Sequence, residues 1–285
     1  MIAIQKTPEL ILNLAPTGMV PTRQVSAYVP LQPDEIVSDV LACADTGITS
    51  VHLHARDEQG APTYSKEIYA RIIGGIREKR PDLVICVSCS GRGGANFIQR
   101  AEVLSLDGDL RPDMASLTLS SLNFSSGASL NSPDTIISLA KEMQARGIKP
   151  EFEVFDLGMA NVLNYLISHN LAEPPLYANV ILGNLATAQA RFLDIGCLLS
   201  ALPAEITYCL GGVGQSQFIA AGMAAAAAPG TRVGLEDNLW MDAGKTIPAS
   251  NLAMVKKVHA LASLHERKIM APNELRQRLG LRSFS

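Results

Sequence analysis

Eight short apolar runs recur along the chain, and an amphipathic or polar stretch separates each run from the next. The runs read LILNLAP, SVHLHA, LVICVSCS, MASLTLS, EFEVFD, YANVILGN, EITYCLGG and TRVGLED. Runs of this length, rich in aliphatic and β-branched residues, are typical of buried strands. Several intervening stretches, such as QPDEIVSDVLACADTG and NLAMVKKVHALASLHE, carry the spacing of helices with one apolar face. The chain therefore alternates strand and helix along its length.

Eight strand–helix units in 285 residues match the content of one α/β architecture. A (β/α)8 barrel needs eight parallel strands, each followed by a helix. We predict a single (β/α)8 TIM barrel domain over residues 1–285, with a short C-terminal helical extension at about 268–285. A doubly wound sheet is the alternative, but it usually has fewer strands and a glycine-rich phosphate loop after its first strand. The first run is followed here by APTGMVPT, which is not such a loop.

The composition argues against several classes of function. The formal net charge is -3 and the pI is about 6.0, which indicates neither a nucleic-acid groove nor a basic membrane surface. The most apolar stretch, FIAAGMAAAAAPG, is too short to span a bilayer, and we expect no secretory signal in MIAIQKTPEL. The five cysteines lie mostly in apolar runs, so we expect reduced thiols in a cytoplasmic protein.

Two of the five histidines occur in one strand-like segment, SVHLHARD. His52 and His54 are two residues apart, so their side chains project from the same face of a strand. The functional residues of a (β/α)8 barrel lie at the carboxyl ends of its strands. Two imidazoles at that end suit a borderline metal such as Zn²⁺. The alternative is a pair of core histidines that hydrogen-bond to the backbone.

The eighth run, TRVGLEDN, offers a third metal ligand. Strand alternation places Arg232, Gly234 and Glu236 on one face, so Glu236 can bring a carboxylate oxygen to the metal. Arg232 and Asp237 then remain for chemistry, because a buried cluster of charges is costly unless it binds something. The alternative is a structural ion pair at the rim of the barrel.

Other strand ends carry polar side chains toward the same rim. By alternation, the residues that share a face are Ser88 with Ser90, Ser116 with Thr118 and Ser120, and Glu151 with Glu153. The turn LGGVGQSQF after the seventh run is rich in glycine and opens a helix, in a region where barrels often bind phosphate. This turn alone is a weak signal, because tight turns also need glycine.

Six motifs together resemble those of one enzyme family over nearly the whole chain. They are TG at 17–18, VHLHARD at 51–57, PDMASL at 112–117, PEFEVFD at 150–156, G-x-G-x-x-Q at 212–217 and RVGLEDN at 232–238. In this combination the chain resembles the β-keto acid cleavage enzymes, typified by 3-keto-5-aminohexanoate cleavage enzyme. HLHARD together with RVGLEDN is highly specific, whereas either motif alone is much weaker.

The resemblance implies a zinc-containing (β/α)8 barrel that usually forms a homotetramer. It implies a reaction in which a β-keto acid condenses with acetyl-CoA, followed by a retro-Claisen step that gives acetoacetate and a new CoA ester. It also implies a function for particular residues: His52, His54 and Glu236 as ligands of one zinc per chain, Arg232 and Asp237 as the catalytic pair, Ser88, Gly91 and Ser116 as substrate contacts.

Further contacts are predicted on the same basis, together with three departures from the family pattern. Glu153 is a further candidate for substrate binding, and the turn residues Gly212, Gly214 and Gln217 are candidates for CoA binding. Members that act on the amino substrate carry a glutamate where this chain has Val20, so we expect a neutral or apolar β-keto acid rather than a cationic one. Gln215 replaces a frequent arginine, and SCSG at 88–91 replaces a frequent STGG.

Three alternatives use similar residues. A metal-dependent hydrolase on a barrel would place its H-x-H pair on the first strand and would need further histidine ligands. The other three histidines lie instead in helical patterns: His169, His259 and His265. A 2-His-1-carboxylate iron oxygenase matches the ligand count but normally has a different fold. A binding protein without activity would be favoured if Arg232 or Asp237 were absent.

Overall fold

The computed structural model describes residues 9–125 and 127–284, and its centre is a closed barrel of eight strands. The strands are β1 (Glu9–Leu14), β2 (Ser50–Leu53), β3 (Val84–Val87), β4 (Met114–Thr118), β5 (Lys149–Val154), β6 (Tyr177–Leu182), β7 (Thr207–Gly212) and β8 (Gly230–Val233). Each pairs in parallel with the next, and β8 pairs in parallel with β1. This confirms the predicted (β/α)8 barrel.

Nine α-helices lie in the described part of the chain. They are α1 (Pro33–Thr46), α2 (Lys66–Lys79), α3 (Phe97–Ala101), α4 (Pro133–Ala145), α5 (Leu157–Ser168), α6 (Phe192–Ala201), α7 (Ser216–Ala227), α8 (Asn251–Leu264) and α9 (Pro272–Leu279). Local sequence sets several of their starts: the side chains of Ser132, Asp156 and Ser250 each accept a hydrogen bond from the first turn of the following helix. None of these helices is long and apolar enough to cross a membrane.

The period-two alternation of the strands separates an outer apolar layer from the barrel interior. On β1, Leu10, Leu12 and Leu14 pack in the main core beneath the helices, whereas Ile11 belongs to a separate cluster inside the barrel. Asn13 is also fully buried and hydrogen-bonds to Glu151 across the interior. The same alternation runs around the barrel, so the inward residues toward the carboxyl ends are polar while those toward the amino ends are apolar.

The C-terminal segment closes the amino end of the barrel. A two-residue strand, β9 (Lys268–Ile269), pairs with β1, and α9 follows it. Met270, Leu275 and Leu279 pack against the inward residues of the strands in the second apolar cluster. The predicted C-terminal helical extension is therefore observed, and it packs on the barrel of its own chain.

Two short hairpin-like ladders stand beyond the carboxyl ends of the strands. Ala55–Arg56 pairs with Pro62–Thr63 after β2, and Leu122–Phe124 pairs with Gly127–Ser129 after β4. An isolated bridge between Arg92 and Ser129 connects the loop after β3 to the second ladder. These segments form one wall of the mouth of the barrel.

The eighth strand is shorter than the sequence predicted. It ends at Val233, and Gly234 has a φ of 156°, which turns the chain away from the sheet. Any side chain at position 234 would collide with the backbone of Ala15, since an added Cβ would lie 2.0 Å from the Ala15 carbonyl oxygen. Glu236 therefore lies on a turn, and strand alternation is not the reason why it faces the same way as Arg232.

Candidate active site

His52, His54 and Glu236 meet at the carboxyl end of the barrel, as the sequence predicted. His52 Nε2 lies 3.3 Å from His54 Nε2, and His54 Nε2 lies 3.2 Å from Glu236 Oε1. Glu236 Oε2 lies 3.9 Å from His52 Nε2. Both imidazoles are buried, and the carboxylate is nearly so. Three potential ligand atoms from two distant segments thus converge on one point.

The spacing of these atoms fits a tetrahedral zinc ion. Zn–N and Zn–O bonds of 2.0–2.2 Å at tetrahedral angles put neighbouring ligand atoms roughly 3.3 Å apart. The separation of the two imidazole nitrogens, 3.3 Å, and that of His54 Nε2 from Glu236 Oε1, 3.2 Å, match this value, whereas Glu236 Oε2 lies farther from His52 Nε2, at 3.9 Å. Glu236 Oε2 is buried and has no hydrogen-bond partner, which is costly for a carboxylate oxygen without a cation. These residues therefore suit one divalent metal with an open position.

Glu151 lies behind His52 and sets the orientation of its ring. Its Oε1 is 2.6 Å from His52 Nδ1, and its Oε2 accepts a hydrogen bond from Asn13 Nδ2 at 3.1 Å. Burial and Arg232 lower the pKa of His52, but Glu151 and Glu236 outweigh them, so the pKa is raised. With its proton on Nδ1, His52 presents the lone pair of Nε2 toward His54 and Glu236, as a metal ligand must.

A second group of potential ligands, formed by His52, Cys86 and Glu151, is less suited to a metal. The 2.6 Å separation of His52 Nδ1 and Glu151 Oε1 is a hydrogen-bond distance, shorter than two ligands of one zinc require. Burial and nearby Glu151 raise the pKa of the Cys86 thiol well above its usual value, so the thiolate that zinc needs is disfavoured. This group orients His52.

Arg232 connects the carboxylates of the site. Its Nε donates to Asp237 Oδ2 at 2.8 Å, and its Nη2 lies 2.8 Å from Glu236 Oε1. Its Nη1 is buried without a hydrogen bond, 3.7 Å from Glu153 and 3.9 Å from Glu151. Burial alone would raise the pKa of Glu236, but Arg232 and the two imidazoles hold it well below its usual range. Glu236 is therefore ionised and can bind a cation.

Asp237 has the opposite electrostatic environment. Burial raises the pKa of its carboxyl above the usual value, and although Arg232 opposes this shift, the neighbouring charge of Glu236 adds to it. Its side chain is only 8% exposed and lines the same inner cavity as His54 and Glu236. A carboxylate with a raised pKa, fixed by an arginine and facing a cavity, is suited to act as a general base.

Two connected cavities occupy the mouth of the barrel. The inner one is lined by His54, Glu236, Asp237 and Arg232, with apolar side chains such as Ile181 and Val213 opposite them. The outer one has a volume of about 1060 Å³ and lies between the loop at Met19–Val20, the segment 62–65 and the loop at 92–95. Met19, Val20 and Arg92 line both. A small reactant can therefore sit at the ligands while a larger group extends outward.

The predicted substrate contacts divide into two groups. Ser88, Val20 and Glu153 line the inner cavity. Ser116 and Gly91 are buried and do not line it among the described residues: Ser116 Oγ accepts a hydrogen bond from Cys89 N, and an added Cβ at Gly91 would lie 2.3 Å from the carbonyl oxygen of Leu130. These two residues shape the loop after β3.

The predicted CoA contacts lie in the turn after β7, where they support the eighth strand end. Gly212 has no room for a side chain, since an added Cβ would lie 2.5 Å from the backbone of Ser216. Gly214 N donates to the carbonyl oxygen of Asp237 at 2.7 Å, and Gln217 Nε2 donates to that of Gly234 at 2.9 Å. The turn thus fixes the backbone that carries Glu236 and Asp237.

Sequence reasoning assigned no function to two residues of the site. Glu151 was expected on the same face as Glu153, but its contact with His52 joins residues 99 positions apart. Arg92 follows the SCSG motif and gave no signal apart from its charge. The further histidines that a metal-dependent hydrolase needs do not line the inner cavity in the described part of the chain.

Comparison with known proteins gives the family. The family model described as beta-keto acid cleavage enzyme matches residues 9–281. A 3-keto-5-aminohexanoate cleavage enzyme of Acetoanaerobium sticklandii is 33% identical over 96% of this chain and 98% of its own length. A 3-oxoadipate:acetyl-CoA acetyltransferase of Cupriavidus necator is 34% identical over 98% of this chain and 97% of its own length.

Solved structures share the architecture at lower identity. A ternary complex of ObcA with a C4-CoA adduct and oxalate has a TM-score of 0.79 at 20% identity, covering 90% of this chain and 68% of that chain. 3-Dehydroquinate dehydratase from Enterococcus faecalis has a TM-score of 0.52 at 12% identity, covering 94% and 100%. These likenesses show the fold alone. The family model and the curated relatives show more: the chain belongs to the family of β-keto acid cleavage enzymes.

Proposed function

We propose that this protein is a zinc-dependent enzyme that condenses a β-keto acid with acetyl-CoA and cleaves the adduct to acetoacetate and a new acyl-CoA ester. The proposal of a metal rests on the convergence of His52, His54 and Glu236, whose nitrogen and oxygen atoms lie 3.2–3.9 Å apart. One carboxylate oxygen of Glu236 has no hydrogen-bond partner in the protein. Acetyl-CoA as the co-substrate is supported by the names of relatives from Cupriavidus necator and Paraburkholderia graminis.

The reacting groups of the chain surround the metal ligands. Zinc, when bound by His52, His54 and Glu236, supplies a Lewis acid that polarises the ketone and carboxylate of the β-keto acid. Asp237 then accepts a proton from the carbon between those two groups, which attacks the acetyl thioester. Arg232 Nε holds the Asp237 carboxylate toward the cavity. The attack on the thioester forms the carbon–carbon bond of acetoacetate and breaks the bond between the acetyl group and the CoA sulfur. The CoA thiolate then attacks the original ketone carbon, whose bond to the central carbon breaks to give the new acyl-CoA ester. Asp237 returns its proton to the central carbon, which completes acetoacetate.

Charge that develops on the thioester oxygen needs fixed hydrogen-bond donors. The Ser88 hydroxyl accepts a bond from Ser90 N and lines the inner cavity, so its own hydrogen can point toward the reacting oxygen. Thr118 is less free, because its hydroxyl donates to Glu153 Oε2 at 2.5 Å. Gly91 and Ser116 contact the loop that carries Ser88, and a direct contact of either residue with the substrate stays a prediction.

We further propose that the substrate is not cationic. Val20 lines both cavities and offers no carboxylate to pair with an ammonium group. The relative from Acetoanaerobium sticklandii is named for an amino substrate, whereas that from Cupriavidus necator is named for 3-oxoadipate. Of these two kinds of substrate, this site fits the second better.

The outer cavity is the proposed path for CoA, because it opens beside the inner one and has room for an extended group. Contacts from Gly212, Gly214 and Gln217 to CoA stay a prediction. So do the homotetramer and the cytoplasmic location. Leu185, Phe192 and Leu193 are largely exposed near the start of α6 and support contact between subunits. Light scattering on the purified protein tests the oligomer.

Metal analysis and an enzyme assay test the proposal together. We expect one zinc per chain after gentle purification, and acetoacetate formation from acetyl-CoA with members of a panel of β-keto acids. Asp237→Asn should retain zinc while turnover falls about 10²–10⁴-fold, because the proton acceptor is lost. The surface variant Asp45→Asn is the matched control and should keep full activity.

Two results would contradict parts of the proposal separately. Absence of zinc counts against the metal, whereas full activity of Asp237→Asn removes Asp237 as the base. If the zinc-containing protein forms no acetoacetate from neutral, anionic or cationic β-keto acids, the proposed reaction itself is wrong.

A further inference from the structure

Arg92 has a firmly held backbone at the junction of the two cavities. Its N–H donates to Ser90 Oγ at 3.3 Å, and its carbonyl oxygen accepts a hydrogen bond from the Tyr64 hydroxyl at 3.1 Å. A bridge to Ser129 adds a third attachment. The side chain therefore starts from a fixed position in the wall of the mouth.

The guanidinium of Arg92 lies over an aromatic ring. Its Cζ is 3.5 Å from the centroid of Phe124, and Phe124 in turn packs edge-on against Phe155, with 5.7 Å between the centroids. This cation–π contact holds the guanidinium near the ring but takes up no N–H group in a hydrogen bond. Within residues 9–125 and 127–284, no side-chain hydrogen bond or ion pair to this guanidinium is found. Because Arg92 lines both cavities, these N–H groups are available to a ligand there.

The other arginines around the mouth are different. The guanidiniums of Arg56 and Arg100 each donate to three oxygen acceptors of the surrounding loops. Arg232 pairs with the carboxylates of the site. Arg56 and Arg100 therefore build the loops and Arg232 builds the reaction centre, whereas Arg92 has donors left for a ligand.

The place of Arg92 limits what that ligand can be. It lines the inner cavity that also contains His54, Glu236 and Asp237, so it can reach a molecule held at the metal ligands. Among the described residues, the carboxylates of Glu236 and Asp237 are not within ion-pair distance of Arg92. Burial lowers the pKa of Arg92, and the negative charges of Glu236 and Glu153 oppose that shift. A half-buried guanidinium of this kind is suited to bind a carboxylate through two N–H groups.

We propose that Arg92 binds a second carboxylate of the substrate, at the end remote from the reacting ketone, so that the preferred substrates are β-keto dicarboxylic acids. This rests on the proposed function and narrows it, since a merely non-cationic substrate would also include neutral acids. The apolar side chains of Val20, Phe124 and Phe155 line the inner cavity and can contact the carbons between the two ends.

The test compares two β-keto acids of equal length, one ending in a carboxylate and the other in the matching carboxamide. The native enzyme should prefer the dicarboxylic acid in kcat/KM by about 10-fold or more. In Arg92→Gln that ratio should fall about 10–100-fold, mainly through KM, because a charge-assisted contact outside the reacting centre is lost. Arg92→Lys should recover part of it, and the surface variant Arg71→Gln should leave the ratio unchanged.

Several outcomes overturn the proposal. One is an equal loss with both acids in Arg92→Gln, which would place the bound anion on the common part of the substrate or on CoA. Another is a native enzyme without preference between the two acids, a result that requires no variant to fold. If no acid is turned over, the proposed function fails, and calorimetric binding of the two acids to the zinc-loaded protein still decides whether Arg92 selects the second carboxylate.

Discussion

Both ends of the barrel contain buried arginines and carboxylates, but the hydrogen bonds and ion pairs of these groups differ between the two ends. At the amino end, one carboxylate, that of Asp113, accepts from Arg276 through both oxygens at 2.8 Å and from Arg77 at 3.2 Å. Ile85 N donates to the same carboxylate at 2.9 Å, and Arg282 Nε lies 3.6 Å from it. Both carboxylate oxygens of Asp113 are thus hydrogen-bonded by the protein itself, and the atoms left without a partner in this cluster are donors, the Nε atoms of Arg77 and Arg282.

At the carboxyl end, acidic groups outnumber basic ones. The inner cavity and its floor hold four carboxylates and two guanidiniums, which leaves two formal negative charges: Glu151, Glu153, Glu236 and Asp237 against Arg92 and Arg232. Glu236 Oε2 and Arg232 Nη1 are buried without hydrogen bonds. A divalent cation would balance these charges. Arginines and carboxylates therefore stabilise the amino end of the barrel by pairing with each other, whereas at the carboxyl end they leave excess negative charge that a bound cation can neutralise.

Asp113→Asn should give the largest effect on stability. The change leaves the guanidiniums of Arg77 and Arg276 buried without their counter-charge, which costs about 3–5 kcal/mol when one partner of a buried pair is lost. Urea unfolding measures the difference, and Glu78→Gln, which alters an exposed pair with Lys79, is the control. Folded Asp113→Asn should keep the zinc and the kinetic constants of the native enzyme. If the free energy of unfolding falls by less than about 1 kcal/mol, the Asp113 carboxylate does not stabilise the amino end of the barrel in this way.

Asp39 provides a half-buried carboxylate that, within residues 9–125 and 127–284, forms no ion pair with an arginine. Burial raises its pKa from 3.8 to about 6, although a hydrogen bond from Asn251 opposes the shift. The folded protein therefore binds the proton more tightly than the unfolded chain. This stabilising contribution is complete below the unfolded value of 3.8 and is lost as the pH rises through about 6.

Comparison with Asp39→Asn isolates this contribution. The stability of the native protein relative to the variant should fall by at most about 3 kcal/mol between pH 4 and pH 7. Urea unfolding of both proteins at several pH values measures it, and groups common to both cancel. Parallel pH profiles for the two proteins would show that Asp39 keeps an ordinary pKa in the fold.

Glu151→Gln changes the carboxyl end of the barrel, and its expected effect, on zinc affinity, is the smallest of the three in free energy. Without the carboxylate beside Nδ1, His52 loses the partner that fixes its tautomer and strengthens Nε2 as a ligand, so zinc affinity should fall about 10–100-fold. Competition with a chelating dye measures this affinity. Glu153→Gln is the control on the same strand, because Glu153 hydrogen-bonds to Thr118 and not to a histidine. Equal affinities in both variants would remove Glu151 as the orienting group.

The sequence predicted the barrel and the shared face of the two histidines because both follow from local periodicity. Eight apolar runs became eight strands, and the spacing of His52 and His54 placed both imidazoles inside the barrel. The expected face of Glu236 was right for a wrong reason, since the strand ends at Val233 and a turn brings the carboxylate back.

Contacts across the interior could not be predicted in this way. Glu151 meets His52 only because the fold brings β2 and β5 to opposite sides of one narrow interior. Arg92 is of interest because its guanidinium has no hydrogen bond or ion pair with the described residues. The sequence does not predict which donors remain unpaired in the folded protein. The packing of the C-terminal segment on its own barrel depends in the same way on the shape of the amino end.

The placement of β1 has a consequence for synthesis of the chain. It is the first of the eight barrel strands to be made, yet one of its edges pairs with β8 and β9, which are made more than two hundred residues later. Until the ribosome has released those segments, that edge stays open and the barrel cannot close. A strand of aliphatic residues with an unpaired edge favours association with other chains. We therefore expect protection by chaperones to matter most for nascent chains that end before β8.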